Sequence, residues 1–225
     1  MVTITIIIEG GILPSDNADT ATMENSQNLR ESLNRIFSEL LQEEVSIIIQ
    51  MGAGYRSAAS LFVNSKENFL CLYVDLDAPK KDMPAWFQKL ENENPAKPIF
   101  FSEEKRKKVF FMIQEMEAWI LKQPAAIEKW GETKCYTRLK AETAIEQHTL
   151  IKNKDIEEIT QPSHVLSTLV KHFFKRTYNG KNKKVQYGKL KSAPELLDQI
   201  DVKELLTKDS ELRRFQEEIV QCVSI

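Results

Sequence analysis

Phe69-Leu70-Cys71-Leu72-Tyr73-Val74 is an unbroken apolar run that Asp75-Leu76-Asp77 and Pro79 bring to an end. Such a run, with no polar alternation, suits a strand covered on both faces, as central strands of a parallel sheet are. Two stretches of the same kind lie upstream. Val2-Thr3-Ile4-Thr5-Ile6-Ile7-Ile8 stops at Glu9-Gly10-Gly11, and Val45-Ser46-Ile47-Ile48-Ile49 stops shortly before Gly52-Ala53-Gly54. Between them, Leu29, Leu33, Ile36, Phe37, Leu40 and Leu41 recur at helical spacing and predict an amphipathic helix crossing over the sheet. A small-residue helix through Ala58, Ala59 and Leu61 follows the second strand. Strands alternating with helices predict an α/β fold with a parallel sheet and right-handed crossovers.

Downstream, Pro84, Pro95 and Pro98 confine residues 83–98 to a short helix around Trp86 and a loop. Val109-Phe110-Phe111-Met112-Ile113 reads as a fourth strand, with a helix after it through Trp119. Beyond about residue 135 the pattern is helical and less apolar. Ser192-Ala193-Pro194-Glu195 reads as a capping box opening a helix through Leu196, Leu197 and Ile200. Leu212, Phe215, Ile219 and Val223 form the stripe of a last helix. The expected organisation is an α/β core over residues 1–135 and a helical C-terminal extension over 136–225, packed on that core.

Composition narrows the function. With 42% apolar and 28% charged residues the chain has the means to fold, and a formal net charge of −2 excludes a globally basic nucleic-acid binder. Cys71, Cys135 and Cys222 show no disulfide or zinc spacing, and Cys71 sits in an apolar run as a buried structural thiol would. His148, His164 and His172 have no metal-ligand spacing and read as surface residues. Met1 to Ile8 lacks a basic leader, and no apolar run approaches the length of a membrane span, so the expected location is the cytoplasm.

The carboxylates are the informative feature. Glu9 follows the first strand, and Asp75 and Asp77 follow the third at a spacing of two, which on an extended backbone points both side chains to one side. Ligand sites of open α/β sheets lie outside the carboxyl ends of the strands, where all three acids fall. Mg²⁺ takes oxygen ligands and bridges a few carboxylates to phosphate, so Glu9, Asp75 and Asp77 form a candidate site for Mg²⁺ or Mn²⁺. The plainer alternative for either motif alone is loop or turn chemistry.

Ile6-Ile7-Ile8-Glu9-Gly10 followed by Tyr73-Val74-Asp75-Leu76-Asp77 resembles the Toprim domain of topoisomerases, primases and overcoming-lysogenization-defect nucleases. Glu115-Met116-Glu117-Ala118-Trp119-Ile120-Leu121, with Tyr187-Gly188-Lys189 leading into Leu196-Leu197 and Ile200, resembles a more specific Toprim-like family, often encoded beside an ABC-type ATPase in bacterial defence loci. The resemblance implies a Toprim-like sheet in which Glu9 is general base or additional metal ligand, Asp75 and Asp77 hold Mg²⁺, and Glu117 is a further acidic member. The other reading of Glu117 is a helix N-terminal acid favoured by the macrodipole. The implied function is a metal-dependent nuclease that cleaves phosphodiester bonds of DNA or RNA in anti-phage defence, with an ATPase partner. The polar stretch from Pro14 to Gln27 departs from the family pattern. A non-catalytic interaction subunit of an ATPase complex is the alternative, and homo-oligomerisation fits either.

Lys171, Lys175, Arg176, Lys181, Lys183, Lys184, Lys189 and Lys191 are eight basic residues in a segment without an acid, interleaved with Phe173, Phe174, Tyr178 and Tyr187. That suits phosphate contact and occasional base stacking. The bland reading is a solvated loop around Asn179-Gly180 with its aromatics turned inward. Lys183 and Lys184 are expected to bind substrate, and Lys189 to reach the metal site. Gly52-Ala53-Gly54 resembles a truncated dinucleotide fingerprint, with Arg56 as a candidate substrate contact. It also leaves open a nucleotide-binding module.

Overall fold

The computed structural model describes the backbone of residues 2–11, 20–41, 45–178 and 180–223, and their side chains apart from residues 20–22, 24, 178 and 223. Strand β1 (Val2–Ile8), helix α1 (Thr20–Leu41), β2 (Val45–Met51), α2 (Tyr55–Asn64) and β3 (Leu70–Asp75) alternate as the apolar runs predict. After α3 (Met83–Asn92) and α4 (Glu103–Lys107), β4 (Val109–Met112) completes a four-stranded sheet of order β2-β1-β3-β4. Every pairing in it is parallel. The α/β class read from the sequence is the observed one.

Strand pleating divides the core. Ile6, Ile8, Cys71, Tyr73, Phe110 and Met112 face one way, onto α1 and the C-terminal helices. Ile7, Leu72, Val74 and Phe111 face the other, onto Ala58, Ala59 and Phe62 of α2 and Trp86, Phe87 and Leu90 of α3. Cys71 is buried, as expected, and burial pushes its thiol up to about 12.

The chain continues through α5 (Glu117–Leu121), α6 (Pro124–Thr133), β5 (Thr137–Arg138), α7 (Pro162–Phe173), β6 (Phe174–Tyr178), β7 (Lys181–Lys184), α8 (Lys189–Leu197), α9 (Val202–Lys208) and α10 (Ser210–Val223). Residues 136–225 are therefore not purely helical, for β5, β6 and β7 form a second, antiparallel sheet. Asn179-Gly180 is the strongest short hairpin signal a sequence carries, and the run of lysines after it hides the strand that follows. The hydrophobic cluster on the α1 face continues without a break into Leu196, Leu205, Leu212 and Phe215. Phe215 of α10 meets Phe37, Tyr73 and Phe110 at ring-centroid distances of 5.1, 5.7 and 5.0 Å. Trp119 Nε1 and Lys122 Nζ both donate to the fully buried Asp209 carboxylate at 2.9 and 2.7 Å, which fixes the start of α10.

Helix α8 begins at Lys189, so Ser192 and Pro194 lie inside it and do not open it. Proline leaves the carbonyl four residues back, on Leu190, without its helical donor, and Leu190 is exposed to water that can supply one. Leu212, Phe215 and Ile219 are buried as the stripe predicts, while the side chain of Val223 and residues 14–19 of the polar stretch lie outside the described residues. Among the described residues no helix is long and apolar enough to cross a membrane.

Candidate functional site

Glu9, Asp75 and Glu117 meet at the carboxyl ends of the parallel strands because each directly ends a strand or opens the element after one. Glu9 follows β1, and its backbone N–H donates to Tyr73 O at 3.2 Å. Gly10 bridges to Ala53, and the Glu9 carboxylate lies near the backbone N–H groups of Tyr55, at the N-terminus of α2, and of Asp75, both of which favour its ionised form. The Gly52–Gly54 turn thus presents its helix N-terminus to an internal carboxylate, the position a phosphate holds in a dinucleotide fold. Gly52 is required for close approach: a Cβ there would stand 2.5 Å from the Ala58 side chain.

Asp75 is the last residue of β3. Its Oδ1 accepts from the Met116 N–H at 2.9 Å, and its Oδ2 lies 3.8 Å from Lys189 Nζ. Glu117 opens α5 and is fully buried; Tyr187 OH donates to its Oε1 at 2.7 Å and Lys189 Nζ lies 3.7 Å from its Oε2. Glu115 faces elsewhere, accepting from the Ser163 N–H at the start of α7 at 2.8 Å.

Asp77 departs from the extended geometry that the two-residue spacing assumes. The strand ends at Asp75, and Asp77 takes a left-handed φ of +54° while its N–H donates to Gln114 O at 2.7 Å. Gln114, which follows β4, has φ +64°, so two loops at the strand ends are locked together through non-glycine residues in a sparsely populated conformation. Asp77 stands exposed, near enough to raise the pKa of Glu9 and Asp75.

The electrostatics follow from crowding. Burial, and then the charge of Asp77, push the Glu9 carboxyl up to about 7, against the two backbone donors and Lys189. Burial pushes Asp75 well above the carboxylate range, with Glu9, Glu117 and Asp77 adding to it and Lys189 opposing. Burial and Glu115 raise Asp77. Burial would lower Lys189, but Glu117, Asp75, Glu115 and Asp77 outweigh it and leave the ammonium above its usual range. Burial and Glu117 also raise Tyr187, which keeps it a hydrogen-bond donor.

An all-oxygen donor set suits Mg²⁺ or Mn²⁺. Glu9 Oε2 and Glu117 Oε2 are buried without a hydrogen-bond partner among the described residues, a condition that a cation resolves. Among the described residues, however, no three His, Cys, Asp or Glu side chains stand close enough to share one ion as they are, and the Lys189 ammonium holds the space beside Asp75 and Glu117. The donors fit a divalent ion in kind. Taking one up requires Lys189 to give way and the carboxylates to draw closer together.

Arg56 is engaged elsewhere: its guanidinium donates to the carbonyls of Leu90 and Lys97 and lies 3.6 Å from Glu93, tying α2 to α3 and the loop after it. Lys183 and Lys184 stand exposed on β7, in the hairpin that leads into Tyr187 and Lys189. Of the interleaved aromatics, Phe173 and Phe174 are core residues and the side chain of Tyr178 lies outside the described residues. Sequence reasoning overlooked Tyr187 as a site residue, although its motif with Gly188 and Lys189 stood out. His148 and His172 pack ring to ring at 4.7 Å, and His172 Nε2 lies 2.9 Å from Lys140 Nζ.

No curated protein and no solved structure matches the chain. A family match covers residues 20–219, which begins after Glu9 and takes in Asp75, Asp77, Glu117, Tyr187 and Lys189. The chain belongs to the DUF4276 family, described as a domain of unknown function.

Proposed function

We propose that this chain is a Toprim-like, Mg²⁺- or Mn²⁺-dependent nuclease that hydrolyses phosphodiester bonds, acting with an ATPase partner in anti-phage defence. The observation that supports the chemistry is the placement of Glu9, Asp75 and Glu117 at the same ends of the parallel strands, with two buried carboxylate oxygens that lack a hydrogen-bond partner among the described residues. Once drawn together, Glu9, Asp75 and Glu117 would hold the ion, with the exposed Asp77 nearby. A divalent ion held there supplies charge neutralisation for a phosphate and lowers the pKa of a bound water. In the metal-free protein the Glu9 carboxyl is pushed up to about 7, so near neutrality a divalent ion would compete with its proton. Lys189 brings a positive charge to the same point, where it can face a phosphate oxygen. The defence setting and the ATPase partner rest on the sequence resemblance alone.

The Lys189 ammonium between Asp75 and Glu117 favours a second reading, a non-catalytic subunit whose acid cluster is a closed ion-pair centre. Incubating supercoiled and linear DNA and structured RNA with Mg²⁺ or Mn²⁺, with and without chelator, separates the two. Metal-dependent cleavage that is lost at least a hundredfold in Asp75→Asn and Glu117→Gln supports the nuclease. Cleavage that survives chelator or both substitutions discards it.

A further inference from the structure

We infer that the β6–β7 hairpin is a duplex-binding ribbon that grips the phosphate backbone of double-stranded nucleic acid, deepening the phosphodiester reading, on which it rests. The register sets Lys175 opposite Lys184 and Arg176 opposite Lys183, with Lys181 opposite Tyr178 beyond them. Like charges directly opposite one another on paired strands destabilise a sheet. Among the described residues, Lys175, Lys181 and Lys184 take part in no ion pair with an acid, and β7 is exposed along its whole length. Lysine on an edge strand also guards against aggregation, but that purpose is served without a second row of positive charge facing it. A local arrangement that works against its own stability points to a ligand, and the only ligand that relieves it is a polyanion.

The field of this sheet is felt by its neighbours. Burial lowers His172 first, and then Lys140, Lys184 and Arg138 lower it further. The form of the polyanion follows from what the ribbon lacks. Single strands without sequence preference are held by bases stacked on exposed aromatics. Here Phe173 and Phe174 are 0% and 1% exposed and Tyr187 is bonded to Glu117, so the described side chains of the ribbon segment offer charge and no stacking platform. A two-stranded ribbon has the width that the major groove of a B-form duplex admits. Lys189 follows Lys184 by five positions, a reach of at most about 18 Å, or about half a turn of duplex. A duplex on the ribbon therefore lies beside the acid cluster.

The test is fluorescence anisotropy with a 20-base-pair DNA duplex, the matching RNA duplex and the component single strands, in chelator so that no strand is cut. Five basic residues on the ribbon give a log–log salt slope of about −4.5, so affinity falls about 500-fold between 50 and 200 mM salt. One or both duplexes should bind at least about tenfold tighter than the single strands, and the better duplex identifies the source. Lys181→Ala/Lys183→Ala/Lys184→Ala should flatten the slope by about 2.7. Lys184→Glu, which sets a carboxylate opposite Lys175, should weaken duplex binding about tenfold or more while leaving the melting temperature equal to or above that of the unsubstituted chain. Preference for single strands, absence of binding, or a slope unchanged by the triple substitution overturns the inference. Cleavage without ribbon-dependent binding would sink this proposal alone, and ribbon-dependent binding without cleavage would sink only the nuclease.

Discussion

Replacing Lys189 with methionine removes the ammonium that stands between Asp75 and Glu117. At 3.8 and 3.7 Å, with an effective dielectric of about 20, each attraction amounts to about 4 kcal/mol before solvation is counted. The lysine side chain is 53% exposed, which brings its pairs towards the 0–1 kcal/mol typical of surface ion pairs. Its partners are 15% and 0% exposed, which pulls the other way, towards the roughly 3–5 kcal/mol lost when a buried pair is broken. The metal-free protein should therefore lose about 2 kcal/mol, or about 4–8 °C in melting temperature for a chain of this size. If the proposed ion site exists, millimolar Mg²⁺ or Mn²⁺ should restore more of this in Lys189→Met than it adds to the unsubstituted protein, because the ion would take the place the ammonium held.

The loss should also depend on pH. The Glu9 carboxyl is raised from 4.5 to about 7 in the fold, so the folded state keeps its proton longer than the unfolded chain does. Stability from this group is complete below about pH 4.5 and is lost as pH rises through about 7. In chelator, Lys189→Met should thus be more damaging at pH 8, with Glu9 ionised, than at pH 6. Scanning fluorimetry at both pH values, with chelator or divalent ion, reads all of these outcomes. A variant that melts with the unsubstituted protein in chelator and gains no larger divalent shift would refute the role assigned to Lys189.

Two further outcomes follow from the core. Tyr73 OH is buried without a hydrogen-bond partner among the described residues, so Tyr73→Phe should stabilise the protein by about 1 kcal/mol in urea unfolding, and a destabilised variant would show that the hydroxyl is bonded. Cys71 is 3% exposed with its thiol pushed up to about 12, whereas Cys135 and Cys222 are exposed. Iodoacetamide at pH 8 should therefore label the latter two in the native state and Cys71 only after unfolding, as peptide mass spectrometry would reveal.

The sheet was legible because its information is local. A strand buried on both faces must be continuously apolar, and the acids that end such strands must emerge at the carboxyl edge, so Glu9 and Asp75 could be placed from residues 2–9 and 69–77 alone. The hairpin was hidden by composition, since lysine-rich strands look like loops until a partner strand supplies their hydrogen bonds. The left-handed turn at Asp77 was hidden too, for it depends on Gln114, thirty-seven positions away, accepting from the Asp77 N–H.

By itself, the sequence determined the parallel α/β sheet, the strand-end acids and the basic segment, because hydrophobic periodicity and strand termini are properties of neighbouring residues. Only the tertiary structure decided that Arg56 is spent on α3 and the loop after it, that Tyr187 bonds Glu117, and that Lys189 stands against Asp75 and Glu117. These pairings join residues far apart in the chain, and a charge finds its partner by distance in space, which residue order does not encode.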